Sequence, residues 1–220
     1  MTCETKGFLF DFNGTLFNDT RFHMAAWKKF VRERFSLELS DNEVRRRFIG
    51  PGNDDIFRKD LGVSDEALIR AYEREKEEAY REAARTAPEL VAGVPRLFDL
   101  LTERKIPFCV ATASPYENVR FYLDELGLGR WMDIGRIVYE DGLRPGKPDP
   151  AFYREAARRI GLTPEECTVV EDSATGILAA KNAHAGRLIV IATTTPRETL
   201  EKQSGIAAVI DDFRDFDRYL

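Results

Sequence analysis

Short apolar runs of strand type alternate with stretches of helical periodicity along most of the chain, but one region holds helical patterns only. The first run, Phe8-Leu9-Phe10, stops at Asp11 and is followed at once by the turn-forming pair Asn13-Gly14. From Thr20 to Phe35, Phe22, Ala26, Trp27, Phe30 and Val31 line one side of a predicted helix, with Lys28, Lys29, Arg32 and Glu33 opposite. Ser40-Asp41-Asn42-Glu43 has the form of a capping box for a short helix to about Phe48, and Gly50-Pro51-Gly52-Asn53 reads as a loop. Asp54 to Leu61 predicts another short helix. Ser64-Asp65-Glu66 opens a long charged one towards Arg85, with Ala67, Leu68, Ala71, Tyr72, Ala79 and Tyr80 as its apolar positions, before Pro88.

From Val91 the texture changes. Helices are expected at Pro95 to Glu103, Glu117 to Leu126, Asp149 to Ile160, Thr175 to His184 and Pro196 to Gln203. Strands are expected at Ile106 to Ala111, Ile137-Val138, Thr168 to Val170, Leu188 to Ala192 and Ala207 to Ile210. Strands alternating with helices imply an α/β fold with a Rossmann-like, doubly wound parallel sheet covered on both faces. The strand-free stretch implies a helical insert at 17–89, and the α/β core is then 1–16 with 90–220.

Composition narrows the partners. At 220 residues with a hydrophobic fraction of 43%, the chain can bury a core plus an insert, and its net charge of −5 comes from interleaved acids and bases without a basic stripe. Nucleic acid is therefore not expected as a partner. Cys3, Cys109 and Cys167 are too few and scattered for a disulfide framework, and no spacing reads as zinc. No apolar segment approaches a membrane span, so a cytoplasmic chain is expected. Oligomeric state is not fixed by the sequence, with a monomer favoured.

The chemistry starts at Asp11. A carboxylate at the carboxyl end of a buried strand, followed by a Gly, suits a nucleophile meeting an anionic substrate in the crevice beyond a parallel sheet; a surface Asp capping a strand is the plain alternative. Asp11-Phe12-Asn13-Gly14-Thr15 resembles the first motif of the haloacid dehalogenase superfamily, Asp-x-Asp-Gly-Thr. Thr112, ending a strand with Ala113 and Ser114 behind it, then Lys147 in Gly146-Lys147-Pro148-Asp149-Pro150, then Glu171-Asp172-Ser173, match the later motifs in order. The resemblance spans nearly the whole chain. It implies phosphoryl transfer from a small phosphorylated metabolite through an aspartyl-phosphate on Asp11. Mg²⁺ is implied on Asp11, Asp172 and the backbone carbonyl of Asn13, with Glu171 as a candidate outer partner. Lys147 is expected to screen the nucleophile. Thr112, with Ser114, Thr15 and backbone amides near Gly14, is expected to hold phosphate oxygens.

The helical insert resembles the first cap class, found in phosphoglycolate phosphatases and β-phosphoglucomutase. His23 matches a mutase His that interacts with the acid/base residue, a half-buried helix position being the alternative. Asn53 stands where the mutase has an Arg for a second phosphate, which argues against mutase activity. Lys76 reads as a solvated charge of its helix, or else as a cap-side cation. Asn13 departs from the motif, because a carboxamide cannot shuttle a proton at neutral pH. It implies a slow phosphohydrolase favouring good leaving groups such as acyl phosphates, a substitution introduced to trap a complex, or a phosphate-binding protein without turnover. A metal-free dehalogenase ranks last, since those enzymes carry an aromatic residue there. Asn13-Gly14 is also a chemically labile pair that could deamidate.

Overall fold

In a computed structural model, described here from Thr5 to Leu220, the chain forms two compact units, one of residues up to Asn18 with Glu89–Leu220 and the other Asp19–Pro88. Cys3 lies outside the described residues.

The first unit is built on six parallel strands, β1 (Gly7–Phe10), β2 (Phe108–Pro115), β3 (Ile137–Glu140), β4 (Cys167–Glu171), β5 (Arg187–Ile191) and β6 (Ala208–Ile210), ordered β3-β2-β1-β4-β5-β6. β1 is central, and the order reverses direction on either side of it, so the crevice beyond its carboxyl end is the switch point of a doubly wound sheet. Alternate residues of β1 face opposite layers. Leu9 joins Cys109, Ala111, Val138, Val169 and Val190 in one apolar layer with Phe152, Tyr153 and Ile177. On the other side Phe10 meets Phe98 edge to face at 5.6 Å, and Phe98 stacks on Phe108 at 5.0 Å.

The helical unit contains α1 (Thr20–Phe35), α2 (Asp41–Phe48), α3 (Asn53–Asp55) running into a π turn (Ile56–Asp60), and α4 (Glu66–Ala84). The expected capping box is present: Ser40 Oγ accepts from the Glu43 N–H, and Glu43 accepts from the Ser40 N–H. Asp65 caps α4 by accepting from Leu68 N–H at 2.8 Å. Trp27, Phe30, Val44, Phe48, Ile56 and Phe57 form the unit's own core. In the α/β unit the helices are α5 (Val94–Glu103), α6 (Tyr116–Asp124), α7 (Ala151–Arg159), α8 (Ala174–Asn182) and α9 (Arg197–Leu200). No helix of the described residues is long and apolar enough to cross a membrane.

Three expectations are corrected. The second strand runs past Ala111 to Pro115, because after a register irregularity it pairs again with β3 at Pro115↔Glu140. The helix expected from Asp54 to Leu61 is a single α turn followed by the π turn, closed by Leu61 N–H on Ile56 O. Lys76 is no solvated charge: it is 2% exposed. It lies on the buried stripe of α4 with Ile69, Glu77, Tyr80 and Ala84. Its ammonium donates to Glu77 Oε1 at 2.7 Å, meets His23 Nδ1 at 2.9 Å, and stands over the Trp27 ring at 5.2 Å. Burial of this charge is tolerated because a carboxylate and an aromatic face compensate it.

Candidate active site

The site forms at the carboxyl ends of β1, β2 and β4. Asp11 follows β1 directly and its backbone N–H donates to Val170 O of the neighbouring strand at 3.0 Å, which ties the two strand tips together. The turn after it closes on itself: Gly14 N–H donates to Phe17 O at 2.8 Å, and Thr15 N–H to Phe12 O at 3.2 Å. Gly14 has φ +81°, and a Cβ there would lie 2.2 Å from Asp172 Oδ2, so no side chain fits between the turn and β4.

Asp172 follows β4 and is held from two sides. Thr15 Oγ1 donates to its Oδ1 at 3.2 Å and Thr194 Oγ1 to its Oδ2 at 2.7 Å, while Thr193 Oγ1 donates to Gly14 O. Glu171 is fully buried. Its Oε2 accepts from the backbone N–H groups of Asp172 (2.8 Å) and Ser173 (2.9 Å), and its Oε1 from Tyr153 OH (2.8 Å).

Lys147 bridges the acids. Its ammonium meets Asp11 Oδ1 at 2.6 Å, Glu171 Oε1 at 2.7 Å, Tyr153 OH at 3.1 Å and Ala111 O at 3.2 Å. Its pKa is raised: burial disfavours the charge, but the two carboxylates outweigh that cost. Glu171 lies below its ordinary range because Lys147 and its hydrogen bonds overcome the effect of burial. Burial pushes the Asp11 carboxyl up from 3.8 to about 7, with Lys147 opposing the rise and Glu171 adding to it. Asp172 is raised too, by burial and then by its acidic neighbours.

Asp11, Glu171 and Asp172 each offer an oxygen, all within 4.8 Å of one another. Lys147 pairs with two of these three buried acids, Asp11 and Glu171, and an all-oxygen donor set suits a hard divalent ion.

On β2, Thr112 and Ser114 are buried and Ala113 between them is exposed. Both hydroxyls donate to Asn13 Oδ1, Thr112 at 2.9 Å and Ser114 at 2.8 Å. Asn13 Nδ2 donates to Tyr122 OH at 3.0 Å, and that hydroxyl lies 2.8 Å from Ser114 Oγ. The Tyr122 ring is fixed in turn by stacking on Phe12 at 3.8 Å. Asp11, Asn13, Gly14, Thr15, Thr112, Ser114, Lys147, Glu171 and Asp172 are thus gathered in one neighbourhood of the α/β unit.

His23 and Asn53 belong to the helical unit. There Asn53 Nδ2 donates to Glu77 Oε1 at 2.7 Å, and His23 stacks on Tyr80 at 3.9 Å. Tyr80 OH donates to Asp19 Oδ2 at 2.6 Å. Sequence reasoning missed Tyr153, Tyr122, Thr193 and Thr194. The only signal for the threonines is their position just after a strand, as with Thr112.

Residues 5–184 match the family of haloacid dehalogenase-like hydrolases. The chain is 31% identical to validoxylamine A 7'-phosphate phosphatase of Streptomyces hygroscopicus subsp. limoneus, with 85% of each chain covered. It is 30% identical to hexitol phosphatase A of Escherichia coli, over 88% of this chain and 85% of the other. Among solved structures, a HAD hydrolase of family IA, variant 3, from Entamoeba histolytica superposes with a TM-score of 0.89 at 32% identity, covering 95% and 94% of the two chains. The sheet order, the site at its switch point and this similarity agree: the chain belongs to the haloacid dehalogenase-like hydrolases.

Proposed function

We infer that this protein is a Mg²⁺-dependent phosphohydrolase acting on a small phosphorylated metabolite. The observation that carries the reading is the convergence of Asp11, Lys147, Glu171 and Asp172 at adjacent strand tips, with one Asp11 oxygen on the lysine. Phosphatase names among the relatives support the reaction class. Asp11 attacks phosphorus and carries the phosphoryl group as an aspartyl-phosphate before water releases it. Lys147 offsets the repulsion between this carboxylate and the incoming anion. Asp11, Asp172 and the Asn13 backbone carbonyl would hold Mg²⁺, with Glu171 behind them; when bound, the ion neutralises charge on the transferring oxygens. Thr112, Ser114, Gly14, Thr15 and Ala113 line the phosphate side of the site, and the helical unit, carrying His23 and Asn53, acts as the cap that selects the substrate.

Asn13 makes turnover slow. General acid/base catalysis is worth about 10²–10⁴-fold, and a carboxamide supplies none of it. A β-phosphoglucomutase-like activity is disfavoured by Asn53, which is neutral and already bonded to Glu77.

The test is phosphate release from a broad panel of phosphorylated compounds, with and without Mg²⁺, together with intact-mass detection of a phosphorylated chain. Release that depends on Mg²⁺ and disappears in Asp11→Asn is expected. Asn13→Asp should raise turnover of ordinary monoesters on the order of 10²-fold or more. If parent and Asn13→Asp both bind phosphate yet release none from any compound, the protein is a binding module instead.

A further inference from the structure

The contacts around Asn13 form a closed ring. Asn13 Nδ2 donates to Tyr122 OH (3.0 Å), the Tyr122 hydroxyl lies 2.8 Å from Ser114 Oγ, and Ser114 Oγ donates back to Asn13 Oδ1 (2.8 Å). Thr112 Oγ1 adds a second proton to Oδ1 at 2.9 Å, while itself accepting from the Ser114 N–H at 3.1 Å. With Nδ2 giving to tyrosine, tyrosine to serine, and serine and threonine to Oδ1, each of the four contacts carries one proton. Both ends of the carboxamide are therefore engaged.

Lys147 and Tyr153 in the α/β site are also committed. The Lys147 ammonium has three protons and four acceptors within 3.2 Å. The Tyr153 hydroxyl donates to Glu171. In the helical unit, the His23 ring faces the Lys76 ammonium with Nδ1 at 2.9 Å. An ammonium only donates, so Nδ1 accepts; the ring proton then sits on Nε2, 3.5 Å from Asp19 Oδ2.

Resting on the phosphohydrolase reading above, we propose that the site takes phosphoryl donors whose leaving group departs as a stable anion, namely acyl phosphates and related mixed anhydrides. In the transfer an Asp11 oxygen forms a bond to phosphorus as the bond from phosphorus to the acyl oxygen breaks. The electron pair leaves with a carboxylate, and no proton moves. The conjugate acid of that leaving group has a pKa of about 4. An alkyl ester instead expels an alkoxide about as basic as hydroxide, whose conjugate acid, water, has a pKa of about 16, and it needs a proton that none of these groups has free. The same shortage slows attack of water on the aspartyl-phosphate, so the phosphorylated chain accumulates.

The experiment compares acetyl phosphate, p-nitrophenyl phosphate, phenyl phosphate and an alkyl phosphate at saturating Mg²⁺, reading kcat/KM and, by rapid quench and intact mass, the fraction of phosphorylated chain. Acetyl phosphate is expected to exceed the alkyl ester by at least 10³-fold, with a burst approaching one phosphoryl group per chain. Asn13→Asp is expected to raise the alkyl ester by on the order of 10²-fold, to change acetyl phosphate less than about tenfold, and to abolish the burst. Alkyl and acyl donors within tenfold of each other in the parent protein, or the same ratio before and after Asn13→Asp, overturn the inference while leaving the phosphohydrolase standing. No phosphorylation and no release from any of the four donors overturns both.

Discussion

Asp11 carries a charge that burial disfavours, and its behaviour can be read without a substrate. Its carboxyl rises from 3.8 to about 7 through burial, against the pull of Lys147. A group raised on folding contributes stability that is full below its unfolded pKa and is lost as pH climbs through the folded one. In metal-free protein the Asp11 contribution should therefore fade between about pH 4 and pH 7. A divalent cation that favours the ionised form should restore it. The expected outcome in thermal melts is a Tm raised by several degrees by Mg²⁺ at pH 8 and hardly changed at pH 4.5; an equal rise at both would mean that the ion binds elsewhere. At this scale the sequence was readable where one residue type at a strand end or in a loop motif does the work, as with Asp11 and Asp172 and with Lys147. Thr194, Tyr153 and Tyr122 were not readable. Their hydroxyls reach Asp172, Glu171 and Asn13 only through the fold, and nothing in their neighbours along the chain marks them. Lys76 was misread for a related reason: a charged residue on a helix stripe looks solvated until Glu77 and Trp27 are seen around it.

Most strands and helices were legible as elements, because apolar runs and helical periods follow from one-sided or two-sided burial. Their ends were less so: β2 continues to Pro115 because it pairs there again with Glu140 of β3, which no local pattern announces. At the start of α8 the packing is tighter still. A Cβ on Gly176 would lie 1.6 Å from Glu171 Oε1, the oxygen that Lys147 and Tyr153 share. Overpacking of this kind typically costs about 1–3 kcal/mol. Gly176→Ala should accordingly lower the unfolding free energy by that amount, read as a lower urea midpoint, and, by displacing Glu171 and with it Lys147, reduce phosphate release at least tenfold. A Gly176→Ala protein with unchanged midpoint and turnover would show that α8 has room to shift.

At the scale of the molecule, the two units have separate cores and one tryptophan each: Trp27 in the helical unit, and Trp131 in the α/β unit, where its indole N–H donates to Asp99 at 2.8 Å. The helical unit, Asp19–Pro88, is the smaller, and small units bury a lower fraction of their surface. Urea unfolding followed by fluorescence in Trp27→Phe and Trp131→Phe should separate the two. The signal from Trp27 is expected to change at a lower urea concentration than that from Trp131, whereas coincident curves would indicate a single cooperative transition.

Phe10 and Val170 are partners in register on β1 and β4, so Asp11 leaves its strand level with Glu171, and Asp172 follows one residue further on. Neighbouring strands run about 4.8 Å apart in any sheet. The spacing between the nucleophile and the acidic pair that ends β4 is thus fixed by a ruler that the backbone provides, more than by the side chains packed around it. Surrounding residues can drift far without disturbing that spacing. A single residue inserted in either strand would turn its acid to the opposite face and dismantle the pair in one step.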